Sequence, residues 1–525
     1  MIKLIAKNRY FILFCISVIY AFSLLVFSLD IPILEHHSFR QTQTAIISWY
    51  MSSPSDLVYT PLPIFGPPWS LNQELPIFQY LVKVISVYAG LDTLQGLQNV
   101  GRSLSWVFLL LTLVPIYYLS KLHSIDRDDF FIFSSLYLSA PLYVFFSTSF
   151  AIESTALFVS MTFLFFFNRY LIYRKTLTLI LFSFFLSLSL LIKVTTATPF
   201  LLLILFIYII HIYKDEFDFR VFTRLAIASL IPIIVLILWK NHADSIAVSS
   251  ILTEDLSSSS HIMKEWIFGT IDDRININIY VKVFARILLY SSPGLLIIIL
   301  VSLFFNYKKL IKVSSYIDKS TLLLISIFLL IFITIFTFPK LHYIHDYYQY
   351  SIGIFAIFFI SVLLHKLKSD IKLFLVALSI LFNILAFFYH PISDSFYTKR
   401  FDYIGSDKQI SFEKISSIII ENTGIDDLVI SSGFDGWSSE LAFFTKRKFL
   451  INWPHAFDKR LSEYKRLGLV SNINLAIICN SSLPGMSNES ISLSEIKNMD
   501  KYFNLKKFYH YKDDVNVCDF YRVEK

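Results

Sequence analysis

The sequence is short of charge. Only 16% of its 525 residues are Asp, Glu, Lys or Arg, against about a quarter in ordinary soluble domains. A cytosolic enzyme, a secreted globular protein and a disordered polar chain are all excluded at that composition. An excess of one sign is missing too. A net charge of +7 over the whole chain offers no basic footprint for nucleic acid, so none is expected among its partners. Cysteine is nearly absent. Cys15, Cys479 and Cys518 make neither a disulfide framework nor a zinc-ligand spacing. Cys15 lies inside the first apolar run, whereas Cys479 and Cys518 share the polar tail, where pairing stays open. There is no Gly-rich phosphate loop and no repeat of solenoid length. Gly433-Phe434-Asp435-Gly436 reads as a turn after a strand.

What fills the chain is apolar: 55% hydrophobic residues, with 53 Phe and 30 Tyr, and a mean hydropathy of +0.61. A single soluble core stops growing near about 250–300 residues, so this length and hydropathy require many membrane spans. A spanning helix needs ~20 apolar residues to cross a core of about 30 Å. About eleven segments qualify: 10–29, 101–120, 130–149, 150–168, 176–194, 196–213, 221–240, 282–305, 320–338, 347–365 and 371–389. Lys3, Lys7 and Arg9 precede the first, which lacks a small-residue cleavage site and reads as an uncleaved span. With the N-terminus inside, the short inner turns hold Lys121 and Arg127; Arg169, Arg174 and Lys175; Lys214, Arg220 and Arg224; Lys308, Lys309, Lys312 and Lys319; and Lys366, Lys368 and Lys372. The short outer turns hold little beyond Lys193 and Lys340. That is the positive-inside pattern, and an odd number of spans puts the C-terminus outside. Residues 75–90 are apolar but too short to cross, and read as an interfacial or re-entrant helix within a first outer loop over 30–100.

The composition changes near 390. Residues 1–390 are expected to form the transmembrane part and 391–525 a small soluble α/β domain on the outer face. Short apolar runs at 427–431 and 474–479, with another β-rich run at 448–452, alternate with helical stretches 411–422, 437–446 and 457–468. That order predicts a parallel sheet, closed by strands near 507–511 and 517–523. Two outer-face clusters are candidates for chemistry, since polar groups at membrane depth are costly. Asp30 to Ala45 gathers two acids, His36, His37 and Arg40 directly after the first span, and from Ser38 reads as a short surface helix. Pro339 to Tyr350 holds Lys340, His342, His345, Asp346, Tyr347 and Tyr348. The bland alternative for each is solvated loop, or an interfacial belt of aromatic rings and snorkelling cations.

These clusters carry a resemblance. His37-Ser38-Phe39-Arg40-Gln41-Thr42-Gln43-Thr44-Ala45 resembles the H-x-W-R-Q-A-D-T-A stretch of integral-membrane glycosyltransferases of the GT-C superfamily, related to protein O-mannosyltransferases and lipid A aminoarabinose transferases. Glu74-Leu75-Pro76-Ile77-Phe78-Gln79-Tyr80 is similar to their E-x-P-x-x-Q-Y/K-P-P segment. Gly101-Arg102-Ser103-Leu104-Ser105 is similar to G-R-x-x-S, Leu191-Ile192-Lys193-Val194-Thr195 to L-x-K-x-T, and His345-Asp346-Tyr347-Tyr348-Gln349 to H-D-Y-Y-Q. The fragments follow in order over about 30–390.

The resemblance implies a GT-C-like fold and transfer of a sugar from a polyprenyl-phosphate donor at the outer face. The acceptor would be an envelope glycolipid, glycan or protein, with the bilayer itself as partner. A base near the end of the first span would take the acceptor's proton, and cations would balance the leaving phosphate. Related enzymes place an Asp at the head of the first outer-loop helix. That position is His37 here, and the later acid of the motif is Gln43. His37 is the preferred base, because imidazole titrates near neutral pH. Glu35 is the alternative or the group that orients it, and Glu74 would return through the loop. Arg40, Arg102, Lys193 and Lys340 would hold lipid phosphate. Gln41, His345, Tyr347 and Tyr348 would complete the substrate site. No cofactor is required, although the histidines would admit a divalent metal. An Ile/Lys/Asn/Ser-rich chain of this kind points to a bacterial inner membrane. The competing classes are a transporter or flippase of lipid-linked sugars, disfavoured by the lack of paired halves, and an assembly subunit of an envelope machine.

Overall fold

In the computed structural model the described residues are 8–215, 217–291, 293–294, 298, 319–365, 367–388, 406–432, 437–452, 457–481, 499, 503–513 and 516–524. The chain divides into two compact units. A helical unit comprises Met1–Ser28, Arg102–Asn241 and His261–Tyr397, and a sheet unit comprises Leu29–Gly101, His242–Ser260 and Thr398–Lys525. Gly433 to Gly436 and the basic residues Lys308, Lys309, Lys312 and Lys366 lie outside the described residues.

Seven helices among the described residues are long and apolar enough to cross a membrane, or eight if Arg127–Ser139 and Pro141–Ser147 form one bent span. The expected count of eleven falls for local reasons. Segments 176–194 and 196–213 are two helices within Thr176–Asp215, parted by non-helical backbone at Lys193 (φ −162°, ψ 94°), and count once among the seven. Forty residues of helix reach about 60 Å, twice a hydrocarbon core, and the break at Lys193 divides that length. Segment 320–338 appears as a helix whose described apolar part, Leu322–Thr337, is shorter than a span. Segment 282–305 runs past Ser291 into residues that are mostly outside the described set. The 64° bend inside 130–149 falls at Pro141, which starts a new helix because proline fits only a first turn. Residues 75–90 form a helix, Ile77–Tyr88, of twelve residues.

Polar contacts tie the helices together. Ser160 and Ser189 hydroxyls meet at 2.7 Å, Asn383 Nδ2 donates to Ser139 Oγ at 2.9 Å, and Tyr143 donates to the Tyr350 carbonyl at 3.0 Å. Lipid tails are as apolar as leucine, so such bonds and close packing, rather than hydrophobic burial, hold spans together. At another turn Asp129 accepts from His365 at 2.7 Å and from Lys372 at 3.5 Å.

The sheet unit holds β1 (Leu428–Ser432), β2 (Lys448–Asn452), β3 (Ile473–Ser481), β4 (Asn504–Lys512) and β5 (Asn516–Glu524), in the order β2-β1-β3-β5-β4. The first three pair in parallel as the alternation with helices predicts, but β5 and β4 add antiparallel. The sheet is therefore mixed rather than parallel, because the short β4–β5 connection has no room for a crossover. Cys479 and Cys518 face each other across β3 and β5 and form a disulfide, which answers the pairing left open by the sequence.

The first outer loop is part of this unit. Phe449 and Ile451 donate to the Pro63 and Ile64 carbonyls at 2.9 and 3.3 Å, so the loop covers the exposed edge of β2, a strand edge that would otherwise invite foreign pairing. Gly66, at φ +88°, completes that turn, and a Cβ there would stand 2.6 Å from Leu252 Cδ1. Leu252 is buried with Ile430, Leu450, Ile473 and Ala476 in the core of the unit. Helix Ser38–Tyr50 forms where expected, yet Gln41 to Ser48 are buried rather than at a surface. The short helix Glu440–Thr445 packs on it: Ser38 Oγ donates to Glu440 at 2.6 Å, and Thr42 and Ser439 hydroxyls meet at 2.8 Å.

Candidate functional site

The sheet unit holds Glu35, His37, Arg40, Gln41 and Glu74. His37 caps helix Ser38–Tyr50 in the left-handed conformation (φ 59°, ψ 37°) with no side-chain cap bond. A non-glycine residue there costs about 1–2 kcal/mol, strain of a kind that gathers at functional positions. The conformation turns the chain so that the His36 and His37 rings lie together, with centroids 3.7 Å apart, and the Phe39 ring stands edge-on to His37 at 6.0 Å. Gln41 Nε2 donates to the His36 carbonyl at 3.1 Å and fixes that turn. Glu35 is buried beside it.

One helical turn further on, Arg40 Nη2 donates to both oxygens of Glu74, at 2.8 and 2.7 Å, while Nη1 donates to Gln43 Oε1 at 3.0 Å. The two motif fragments, 34 residues apart, are thus joined by one guanidinium. Gln43 stands where the resembling family has an acid, and it serves here as an acceptor for that guanidinium. The Glu440 carboxyl under the helix is pushed up by burial, with the Ser38 and Ser438 hydroxyls pulling the other way.

The helical unit holds Arg102, Lys193, Lys340, His345, Tyr347 and Tyr348. The break at Lys193 turns its side chain inward, where Nζ lies 2.6 Å from Glu153 Oε1; the two side chains are 8% and 2% exposed. The same ammonium sits 4.8 and 5.1 Å from the ring centroids of Tyr347 and Tyr348. His345 stacks on Tyr347 at 5.0 Å, and Trp266 meets His345 edge-on at 6.0 Å. Lys340 lies 5.7 Å over Trp266. Arg102 is fully buried and donates to the Thr148 carbonyl at 3.2 Å.

Sequence reasoning missed several residues of this cluster. Glu153 was read as the interior of a span, although a lone acid in an apolar stretch is itself the signal. Arg286 was not singled out; it donates to the His342 and Tyr343 carbonyls at 2.9 Å each, and Gln349 Nε2 donates to the His342 carbonyl at 2.7 Å. His342 lies between spans, fully enclosed, and neither ring nitrogen has a hydrogen-bond partner among the described residues. Burial, with Arg286 and Lys193 nearby, pushes its imidazole down to about 3. A neutral imidazole is the metal-binding form, but two neighbouring cations oppose a dication there. In the sheet unit, the adjacent His36 and His37 could supply two nitrogens of a metal site, half of a tetrahedral set.

Among the described residues, seven or eight helices are long and apolar enough to cross a membrane, and they accompany a small mixed sheet. Among solved structures the chain is similar to ArnT from Cupriavidus metallidurans bound to undecaprenyl phosphate, with a TM-score of 0.61 over 98% of each chain at 13% identity. The apo state of that protein gives 0.58 over the same shares at 12%. The archaeal oligosaccharyltransferase AglB from Archaeoglobus fulgidus, in complex with an inhibitory peptide and a dolichol-phosphate, gives 0.52 at 11%, over 90% of this chain and 70% of that one. No protein-family model and no curated protein sequence matches the chain. At these identities the likeness is one of fold.

Proposed function

We propose that this protein is a polyprenyl-phosphate-dependent glycosyltransferase of GT-C type, moving a sugar to an envelope glycolipid, glycan or protein. The observation that carries the reading is the end-to-end match to a structure bound to undecaprenyl phosphate, together with the ordered motif fragments of the sequence. On this reading residues 1–390 are the transmembrane catalytic part and 391–525 an outer-face domain, with 29–101 and 242–260 grouped with the latter in one compact unit. The N-terminus is inside and the C-terminus outside, in a bacterial inner membrane. The Cys479–Cys518 disulfide supports that orientation, since disulfides persist in oxidising compartments.

In this mechanism His37 takes the acceptor proton as general base, held in place by its strained cap, and Glu35 orients it. Arg40 binds through its planar fork and is positioned by Glu74 and Gln43, while Gln41 fixes the turn at His36. Lys193, with Arg102 and Lys340, balances the negative charge that grows on the departing polyprenyl phosphate. Tyr347, Tyr348 and His345 surround that ammonium and line the leaving-group site. Glu153 aims Lys193 through their 2.6 Å contact. Profiling lipid-linked sugars in cells with and without the protein tests the reading. Accumulation of a polyprenyl-phosphate sugar, with one sugar missing from an envelope glycan, is the expected result. An unchanged glycan would overturn it.

A further inference from the structure

The sheet unit contains a cleft whose polar walls exceed what the fold itself uses. It is a narrow cleft, about 250 Å³ only when the open solvent at its mouth is counted, and its lining includes Arg40, Gln43, Thr60, Glu74 and Gln79. Gln43, Thr60 and Gln79 are 3%, 2% and 1% exposed. Yet Gln43 Nε2, Thr60 Oγ1 and Gln79 Nε2 are without hydrogen-bond partners among the described residues. Native folds pair nearly all such groups, and three orphans on residues that line one cleft mark a place where an outside oxygen completes the set. The Gln43 amide cannot simply be turned over, because its Oε1 already accepts from Arg40.

The chemistry of the walls narrows the ligand. Arg40 and Glu74 neutralise each other, so the cleft has no net charge with which to hold a free ion. The two amide groups donate, the Thr60 hydroxyl can do either, and the Glu74 oxygens accept. That combination fits a hydroxyl, which accepts from amides and gives its proton to a carboxylate. Leu62 on the same lining offers an apolar wall for C–H groups, the other half of a sugar's surface. The opening is narrow and admits a hydroxyl or the tip of a hydroxymethyl arm, not a whole ring and not a lipid tail. We propose that this cleft is a sugar-hydroxyl subsite, in which Gln43, Thr60 and Gln79 bind and Arg40 and Glu74 position. The assignment rests on the transferase reading for which sugar arrives there; Gln43 and Gln79 lie within the motif fragments, whereas Thr60 lies outside all of them.

The test uses the full chain in detergent with two separate probes. The first is a panel of methyl glycosides of common hexoses, N-acetylhexosamines and hexuronates, read by saturation-transfer difference NMR. The second is undecaprenyl phosphate, read by thermal shift. At least one glycoside should bind the wild-type chain. Gln79→Leu and Thr60→Val should each weaken it tenfold or more, whereas Thr60→Ser should retain it and all three should keep the undecaprenyl phosphate shift. The retained shift also certifies that the variants are folded. Glycoside binding that the leucine and valine variants leave unchanged, or no glycoside bound at all, would mean that the cleft holds water only and would overturn the proposal. Loss of the undecaprenyl phosphate shift in the wild-type chain would instead count against the transferase reading, while glycoside binding lost in the variants would still establish the subsite.

Discussion

Each unit contains an ion pair made of one base and one acid from distant parts of the chain, and the two are built differently. Lys193 and Glu153 sit among aromatic rings at 8% and 2% exposure, joined by one contact of 2.6 Å. Arg40 and Glu74 are each 16% exposed, lie on an open cleft, and are joined by two bonds from one guanidinium nitrogen. Removing charges from water costs several kcal/mol per ion, which the mutual attraction offsets only while both partners stay. The deep pair is therefore brittle and holds its ammonium in one place. The cleft pair keeps some water and can exchange a bond for a ligand. A fixed cation suits a phosphate that must be met at a constant position, and an exchangeable pair suits a sugar edge.

The largest effect expected is on chemistry in the sheet unit. His37→Ala should lower transfer by about 10²–10⁴-fold, the usual contribution of a general base, with little change in thermal stability. Full activity in that variant removes the assignment and shifts attention to Glu35. The two ion pairs can then be set directly against each other. Glu153→Ala leaves an unpaired buried ammonium and should cost about 3–5 kcal/mol of stability, measured by thermal unfolding in detergent. Glu74→Ala should cost nearer 1.5–3 kcal/mol, roughly that of hydrogen bonds to a charged group. Equal losses would erase the distinction between the pairs.

Reducing the Cys479–Cys518 bond, or Cys518→Ser, opens a closed loop with a sequence separation of 39 and should cost about 3–4 kcal/mol by chain entropy. That loss is confined to the sheet unit, so the helical unit should keep its own transition. A further effect concerns pH. The His342 imidazole is pushed down to about 3 from its ordinary 6.5, so the folded chain binds fewer protons there than the unfolded one. Its contribution is complete above pH 6.5 and is lost as pH falls toward 3, at about 1.4 kcal/mol per pH unit. His342→Leu should flatten that part of the acid-unfolding curve, and an unchanged slope would contradict the burial of this ring.

The strands β1, β2 and β3 fall within a residue or two of the runs that their apolar continuity predicts, since buried parallel strands leave little choice of residue. The helices over 407–422, 440–445 and 457–466 follow for the same reason of local pattern. The antiparallel addition of β5 and β4 was not legible, because pairing direction depends on connection length and on which edge is free. Helix Ser38–Tyr50 was legible as a helix but not as a buried one. Its polar face reads as exposed until Ser439 and Glu440, some 400 residues later, supply the partners.

By itself the sequence determined the membrane character, the soluble C-terminal domain, and the residue types of both candidate clusters. Those rest on composition and local periodicity, which each segment carries alone. Only the tertiary structure decided that Glu153 pairs with Lys193, that Arg40 reaches Glu74, that Cys479 meets Cys518, and that Gln43, Thr60 and Gln79 line one cleft. Such pairings bring together side chains separated by tens of residues, and their geometry is set by the packing of the elements between them.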